Sequence, residues 1–494
     1  MKVLFYSTYH FNTETSGPIF ENIQDHINLG DEVYILTCKG EMSSCQVNPN
    51  HNYFHCQTCI STFQSGLSCL EGAYHLHYLS DILKIDEIDN KVSDITWNDN
   101  DEFRQLQHED FDIGMGVFSS VVSIFRDPKP VLSDHESLVK NQWVSSMYIY
   151  EAIKKAIDEF KIDLVYVFNA RFATLRACLR AAANKNVFCR VLEEGRDRNT
   201  YSVFPNIMPH SIEHYTKIIN ELWDNADENK VSIAQLYFDN RSNSNNERVG
   251  MFTQSQEKGK LPNSWDSNRI NIVFFTSSED EFVAIGKDWD NALYENQYHT
   301  ILKIAKSLHH SPKYRIYVRM HPNLKGIYNS SITDVISIKE SNVELILPES
   351  NISSYSLLFS CNIVVTAGST MGLEASVYDK PSILTSNALY MNLGCTYNPN
   401  SHEEVIKLIE SEPKPMPKLG ALKYGYMLTQ FGKTYKYYKR IDTFQGLING
   451  KKYGPDFVYL YIRKLGRWMR INKETRQKEI NNKKQKSLYE MYHG

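Results

Sequence analysis

At 494 residues the chain exceeds one ordinary domain, and two are expected. A hydrophobic share of 42% with 23% charged residues is that of a soluble globular protein, and a net charge of −4 argues against a general nucleic-acid binder. No apolar run approaches the ~20 residues that cross a bilayer, and MKVLFYSTYHF lacks the apolar core and cleavage site of a signal peptide, so a cytoplasmic protein is expected.

Residues 2–8 read as a buried first strand of the kind parallel sheets use. After a polar loop at 10–17, Pro18 opens a predicted helix reaching about Leu29, Gly30-Asp31 stops it, and 32–37 form the second strand. This opening starts a doubly wound domain, and its first loop lies at the carboxyl end of the strand, where such sheets bind ligands. His10, Thr13 and Glu14 are therefore acceptor-site candidates, against the plain reading of a polar loop. Five of the nine Cys then fall between Cys38 and Cys69, with His51 and His55 among them. Cys56-Gln-Thr-Cys59 has the spacing by which one turn offers two thiolates to a tetrahedral metal. The expectation is a structural zinc, or second an iron–sulfur cluster, held by Cys38, Cys45, Cys56 and Cys59, with His51, His55 and Cys69 as substitutes. Free thiols are the alternative, since a reducing compartment disfavours a disulfide. So polar an excursion is expected to need a staple.

Residues 80–110 are polar and weakly periodic, expected as irregular structure or short helices. Helical spacing runs through 141–160, a buried strand through 164–168, and an Ala- and Arg-rich helix through 172–183. The strand at 188–192 ends on Glu193-Glu194-Gly195-Arg196-Asp197-Arg198. Two adjacent carboxylates at such a strand end sit where α/β domains place chemistry, and one can act as a general base toward a hydroxyl. A charged turn without a role is the alternative.

Residues 211–239 read as helix, and 240–266 as a Ser/Asn/Gly-rich linker or loop. A second β–α series follows: a strand at 271–276 with Ser277-Ser278 in its carboxyl-end loop, a helix at 297–308, and a strand ending on Arg319, His321 and Pro322. Another strand at 343–347 precedes a helix start at Ser353-Ser354. The strand 363–365, the turn Ala367-Gly368-Ser369-Thr370 and a helix at 371–377 together make a phosphate cradle, because free amides and the helix dipole converge there. From 451 onward, apolar Val458, Tyr461 and Leu465 alternate with Arg463, Lys464, Arg467 and Arg470. That basic end suits either a peripheral contact with an anionic membrane surface or a solvated tail.

Glu193-Glu194-Gly195, His321-Pro322 and Ser369-Thr370 together resemble the acidic-acidic-Gly, His-Pro and Ser-Ser/Thr motifs of bacterial sialyl-, polysialyl- and Kdo-transferases. GSTMGLEA with KPSI is similar to the wider group of capsule polysaccharide and polyol-phosphate transferases. The resemblance implies an α/β fold of GT-B type, with two doubly wound Rossmann-like domains facing a central cleft. The implied layout is an acceptor-side domain at 1–250 with the Cys-rich insertion 38–69, a donor-binding domain at 267–430, and C-terminal helices with a basic tail at 431–494. It implies an inverting glycosyltransferase, free of catalytic metal. That enzyme moves a CMP-linked acidic sugar (Kdo or sialic type) to a hydroxyl of a surface polysaccharide or glycolipid. Carried over by residue, Glu194, with Glu193 second, deprotonates the acceptor. His321 donates to the leaving phosphate with Arg319 as charge partner, and Ser277, Pro322, Ser353, Ser354, Gly368, Ser369 and Thr370 form the donor site. Glu374 faces the nucleotide ribose. Asp197 is a rival base, while Arg196, Arg198 and His10 are candidates for binding the sugar or acceptor. The partners implied are a nucleotide-activated sugar and an oligosaccharide or lipid-linked acceptor. The alternatives are a UDP-sugar or CDP-polyol dependent transferase, a nucleotide-sugar 2-epimerase of the same fold, and a non-catalytic sugar-binding protein.

Overall fold

The computed structural model describes residues 1–10, 12–89, 95–243, 255–291, 293–462 and 465. The basic stretch expected after 465, and residues 244–254 of the polar linker, lie outside them. The chain forms two compact units. Of the described residues, the first comprises 1–125, 129–209 and those from Phe431 onward, and the second 126–128 and 210–430.

The first unit is built on a seven-stranded sheet. Its order is Lys433–Thr434, Thr200–Pro205, Phe188–Glu194, Leu164–Phe168, Lys2–Ser7, Glu32–Thr37, His75–Tyr78. The last five run parallel, and the first two are antiparallel additions. Val3, Leu4, Phe5 and Tyr6 are all buried, as are Val33, Tyr34, Ile35 and Leu36, as expected where both faces of a parallel sheet are covered. The first helix, Thr13–Asn28, begins five residues before Pro18, because Asn12 caps it by accepting from the Thr15 amide at 3.1 Å. Pro18 sits inside that helix and removes one intrahelical bond rather than opening it.

The second unit holds a five-stranded parallel sheet ordered Ser382–Leu384, Ile363–Thr366, Ile270–Phe275, Tyr314–Arg319, Val343–Ile346. Within each unit the parallel strands follow one pattern, in which the first strand lies centrally between later ones. That is the doubly wound Rossmann arrangement. The expected pair of Rossmann-like units of GT-B type is therefore present.

Two segment assignments are corrected. Residues 210–243 belong to the second unit, because Ile212–Asp224 and Lys230–Ser242 pack on the helix Leu419–Gln430, with Trp223 edge-on to Tyr426 at 5.8 Å. The described part of 431–494, expected as helices, is helical at 457–462 but first forms strands: Tyr438–Arg440, Gly446–Ile448 and Lys451–Tyr453 make an antiparallel meander. Tyr438, Ile448 and Tyr453 enter the first unit's core beside Phe20 and Phe63. The buried Glu21 carboxylate accepts from the amides of Lys436, Tyr437 and Tyr438 at 2.7, 2.9 and 2.9 Å, which fixes the entry of the meander. Among the described residues no helix is long and apolar enough to cross a membrane.

Candidate active site

In the second unit the strand order reverses between Ile270–Phe275 and Ile363–Thr366, and the loops leaving these strands meet at their carboxyl ends. Ser277 Oγ donates to the Ala367 carbonyl at 3.3 Å, tying the two loops together. Gly368 has φ +106°, a region that side-chain-bearing residues avoid, and a Cβ there would approach the Asn387 carbonyl to 3.3 Å. That left-handed step aims Ser369 and Thr370 at the start of the helix Thr370–Val377. Ser369 is the N-cap, its Oγ accepting from the Met371 amide at 3.4 Å, while its carbonyl accepts from Tyr390 OH at 2.6 Å. Thr370 is exposed at the mouth. Gly368, Ser369 and Thr370, expected as a phosphate cradle, thus lie at the unit's topological switch point, where a left-handed glycine leads into a capped helix start.

His321 follows the neighbouring strand Tyr314–Arg319. Its amide donates to Thr276 Oγ1 at 2.9 Å, and its Nδ1 accepts from the Asn323 amide at 3.2 Å across the short turn that Pro322 begins. An accepting Nδ1 places the proton of the neutral ring on Nε2. Burial first, then the charges of Arg319, Arg126 and Arg241, pull the imidazole down to about 4. At neutral pH His321 is therefore a neutral Nε2–H donor.

Four other expected donor residues serve the scaffold. Arg319 is buried and donates to the carbonyls of Leu347 and Ser350 at 2.6 and 3.3 Å and to Ser354 Oγ at 3.3 Å. Burial lowers its own pKa to about 10. Ser353 caps the helix Ser354–Ser360 by accepting from the Ser356 amide, and Ser354 receives Arg319. Glu374, expected at a ribose, is fully buried: Oε1 pairs with Arg241 at 2.9 Å and Oε2 accepts from Tyr355 OH at 2.7 Å. Arg241 was missed by the sequence reading, because nothing in the last turn of the helix Lys230–Ser242 marks it locally.

In the first unit, Glu193 and Glu194 end the strand Phe188–Glu194, which turns back through Gly195 into Thr200–Pro205. A Cβ on Gly195 would lie 2.3 Å from Thr200 Oγ1 and 2.6 Å from the Thr200 carbonyl carbon, so only glycine fits. We expect Gly195→Ala to reduce unfolding free energy by about 1–3 kcal/mol through overpacking; denaturant titration measures it, and an unchanged midpoint would refute the steric argument. Glu193 Oε2 accepts from Asn169 Nδ2 at 2.7 Å and Oε1 from the Glu194 amide at 3.0 Å. Loss of hydration pushes Glu193 up to about 7, opposed by those two donors and aided by the charges of Glu194 and Glu14. Glu194, by contrast, is 39% exposed and paired with Arg440 at 3.4 Å; Arg440 also bonds Glu14. One carboxyl is thus held near its titration point beside another in an ion pair. Asn169 and Ala170 both adopt left-handed φ, of 58° and 57°, at the end of Leu164–Phe168. That strained step puts the Asn169 amide against Glu193.

The remaining candidates of this unit are structural in the main. His10 is buried, stacked on Phe63 at 3.5 Å and bonded through Nε2 to the Ser7 carbonyl at 2.9 Å; burial lowers it to about 3. It faces the core, not an acceptor. Asp197 closes the hairpin turn by accepting from the Asn199 amide at 2.8 Å. Arg196 lies 3.4 Å from the carbonyls of Phe431 and Gly432, and Arg198 is exposed.

Cys38, Cys45, Cys56 and Cys59 line one cavity of about 30 Å³ with His51 and His55. Cys56 and Cys59 lie on the helix Tyr53–Leu67, one turn apart, rather than on a metal-binding knuckle. Among the described residues, the His/Cys/Asp/Glu group whose ligand atoms all come within 4.8 Å is His108, Glu109 and Glu151, and no trio of this cavity does so. The segment also has an apolar anchor, with Met42, Phe63, Leu67 and Cys69 buried. Burial pushes Cys45 and Cys59 up to about 12, so both thiols keep their protons at neutral pH.

A family model described as capsule polysaccharide biosynthesis protein matches residues 169–438. No curated protein matches the chain. Solved structures similar to it include the β-Kdo 2,4 transferase of KpsC from Thermosulfurimonas dismutans, at 15% identity over 53% of this chain and 79% of that one, with TM-score 0.36. The β-Kdo 2,7 transferase of the same protein gives 17% identity over 56% and 80%, with TM-score 0.32. The UDP-GlcNAc 2-epimerase of Methanocaldococcus jannaschii gives 13% identity over 87% and 99%, with TM-score 0.27.

Proposed function

Because the chain belongs to the capsule polysaccharide biosynthesis protein family, we propose that it is an inverting glycosyltransferase. On this reading it transfers a sugar from a nucleotide-activated donor, a CMP-linked acidic sugar first, to a hydroxyl of a growing surface polysaccharide. What carries the reading is the switch point of the second unit. A left-handed Gly368, a Ser369-capped helix start and a neutral His321 donor are suited to a phosphate that gains charge as its bond to the sugar breaks.

The step balances without further reagents. An acceptor oxygen attacks the anomeric carbon, its proton passes to a carboxylate of the Glu193–Glu194 pair, and the anomeric C–O bond to phosphate breaks toward the nucleotide. Attack in line with the leaving group inverts the centre. Glu193 suits the base role better than Glu194, because its affinity for a proton lies near working pH while Glu194 is engaged by Arg440. The helix start and His321 stabilise the departing phosphate.

The test is acceptor-dependent nucleotide release. Purified protein is incubated with CMP-Kdo, CMP-sialic acid, UDP-sugars or a CDP-polyol, each with and without a capsule oligosaccharide. Release of one nucleotide only when acceptor is present is the expected result. Interconversion of a UDP-sugar without acceptor would instead make the protein an epimerase. Membrane contact through the basic residues after Leu465 belongs to the same reading; co-sedimentation with anionic but not neutral vesicles supports it, and its absence removes that part alone.

A further inference from the structure

The charge that a departing phosphate needs is not supplied by Arg319, whose fork is engaged by the carbonyls of Leu347 and Ser350. A second arginine touches the cradle itself. Arg241 Nη2 donates to Thr370 Oγ1 at 3.4 Å, the exposed first residue of the helix Thr370–Val377. The same guanidinium grips Glu374 through Nη2 and Nε, at 2.9 and 3.2 Å, and reaches Tyr237 OH through Nη1 at 3.3 Å.

Glu374 lies four residues after Thr370, so both stand on one face of the helix and Arg241 runs along it toward the positive helix end. A fully buried carboxylate is costly unless held by partners, and here Arg241 and Tyr355 satisfy both oxygens. The pair is not merely a core ion pair. Arg241 remains 20% exposed at its side chain, and its field is one of those that depress protonation of His321. Thr370 holds the fork by a long, neutral contact, which a phosphate oxygen can replace with a shorter charge-assisted one.

We propose that Arg241 is the residue that neutralises the donor's phosphate at this helix start, and that Glu374 and Tyr355 are positioning residues that fix its fork. This deepens the transferase reading and rests on it.

Calorimetric binding of CMP against cytidine, and of UMP against uridine, tests the role. The double variant Arg241→Gln/Glu374→Gln removes both charges together, so no buried carboxylate is left unpaired and the fold is kept. It is expected to bind the nucleotide about 10- to 100-fold more weakly with nucleoside affinity unchanged. Arg241→Lys, which keeps the charge without the fork, is expected to lose less. The difference between nucleotide and nucleoside affinity is the readout that a purely structural role leaves in place; His321, followed by NMR titration, is expected to titrate higher in the double variant once the Arg241 charge is gone. A folded double variant that binds CMP and UMP as tightly as the parent overturns the proposal. If the parent itself prefers neither nucleotide over its nucleoside, the transferase reading fails, and the Arg241 role with it.

Discussion

Glu193→Gln is expected to lower sugar transfer by about 10²- to 10⁴-fold while leaving nucleotide binding intact. The amide keeps the shape of the carboxyl but cannot take a proton. In the parent, loss of hydration pushes Glu193 up to about 7, with the Glu194 and Glu14 charges adding to it. Only the ionised form is a base, so kcat/KM is expected to rise with pH through about 7 and flatten above it. Asn169→Ala deletes a donor that favours the ionised form, and is expected to move that limb upward by about one pH unit. The stability sign follows from the same raised value. The favourable contribution of the protonated Glu193 is complete below the ordinary carboxyl pKa of 4.5 and is lost as pH rises through about 7. Glu193→Gln, neutral throughout, is therefore expected to melt no lower than the parent at pH 8. If Glu194→Gln instead abolishes transfer, and Glu193→Gln retains both rate and pH limb, the base is Glu194.

What was legible in the sequence follows from how each feature is encoded. The strands Glu32–Thr37 and Leu164–Phe168 were read to the residue, because parallel strands covered on both faces appear as unbroken apolar runs. The cradle was legible for a related reason: strand, glycine, cap and helix are consecutive in the chain. The groups that tune the site are not. Asn169 meets Glu193 through two left-handed residues that no propensity signals, and Arg440 reaches Glu194 from a strand three residues long. Glu374 had a plausible local reading at a ribose, but its partner Arg241, 133 residues away, turns it inward. Cys56-Gln-Thr-Cys59 did not settle its own role, because a spacing of three places two residues on adjacent turns of a helix face as readily as on a metal-binding turn.

His321→Ala is expected to lower transfer by about 10²- to 10³-fold, the scale of losing one preorganised donor to a developing oxyanion. His321→Gln separates the two ways the imidazole can act. A glutamine amide places an N–H near the position of Nε2 but cannot release a proton at working pH, so a hydrogen-bonding role leaves this variant within about tenfold of the parent. The pH dependence bears on the same choice. With the imidazole drawn down to about 4 by burial and by the charges of Arg319, Arg126 and Arg241, it is already neutral at pH 5.5 and remains so at pH 8.5. Nothing in its titration then lowers the rate on the alkaline side, and the rise belonging to Glu193 is expected to stand alone across that range. An imidazolium acting as general acid behaves oppositely, losing its proton and its rate as pH rises. A descending alkaline limb present in the parent and absent in His321→Gln would therefore establish proton donation in place of the neutral hydrogen bond. Full activity in His321→Ala would remove the residue from the site.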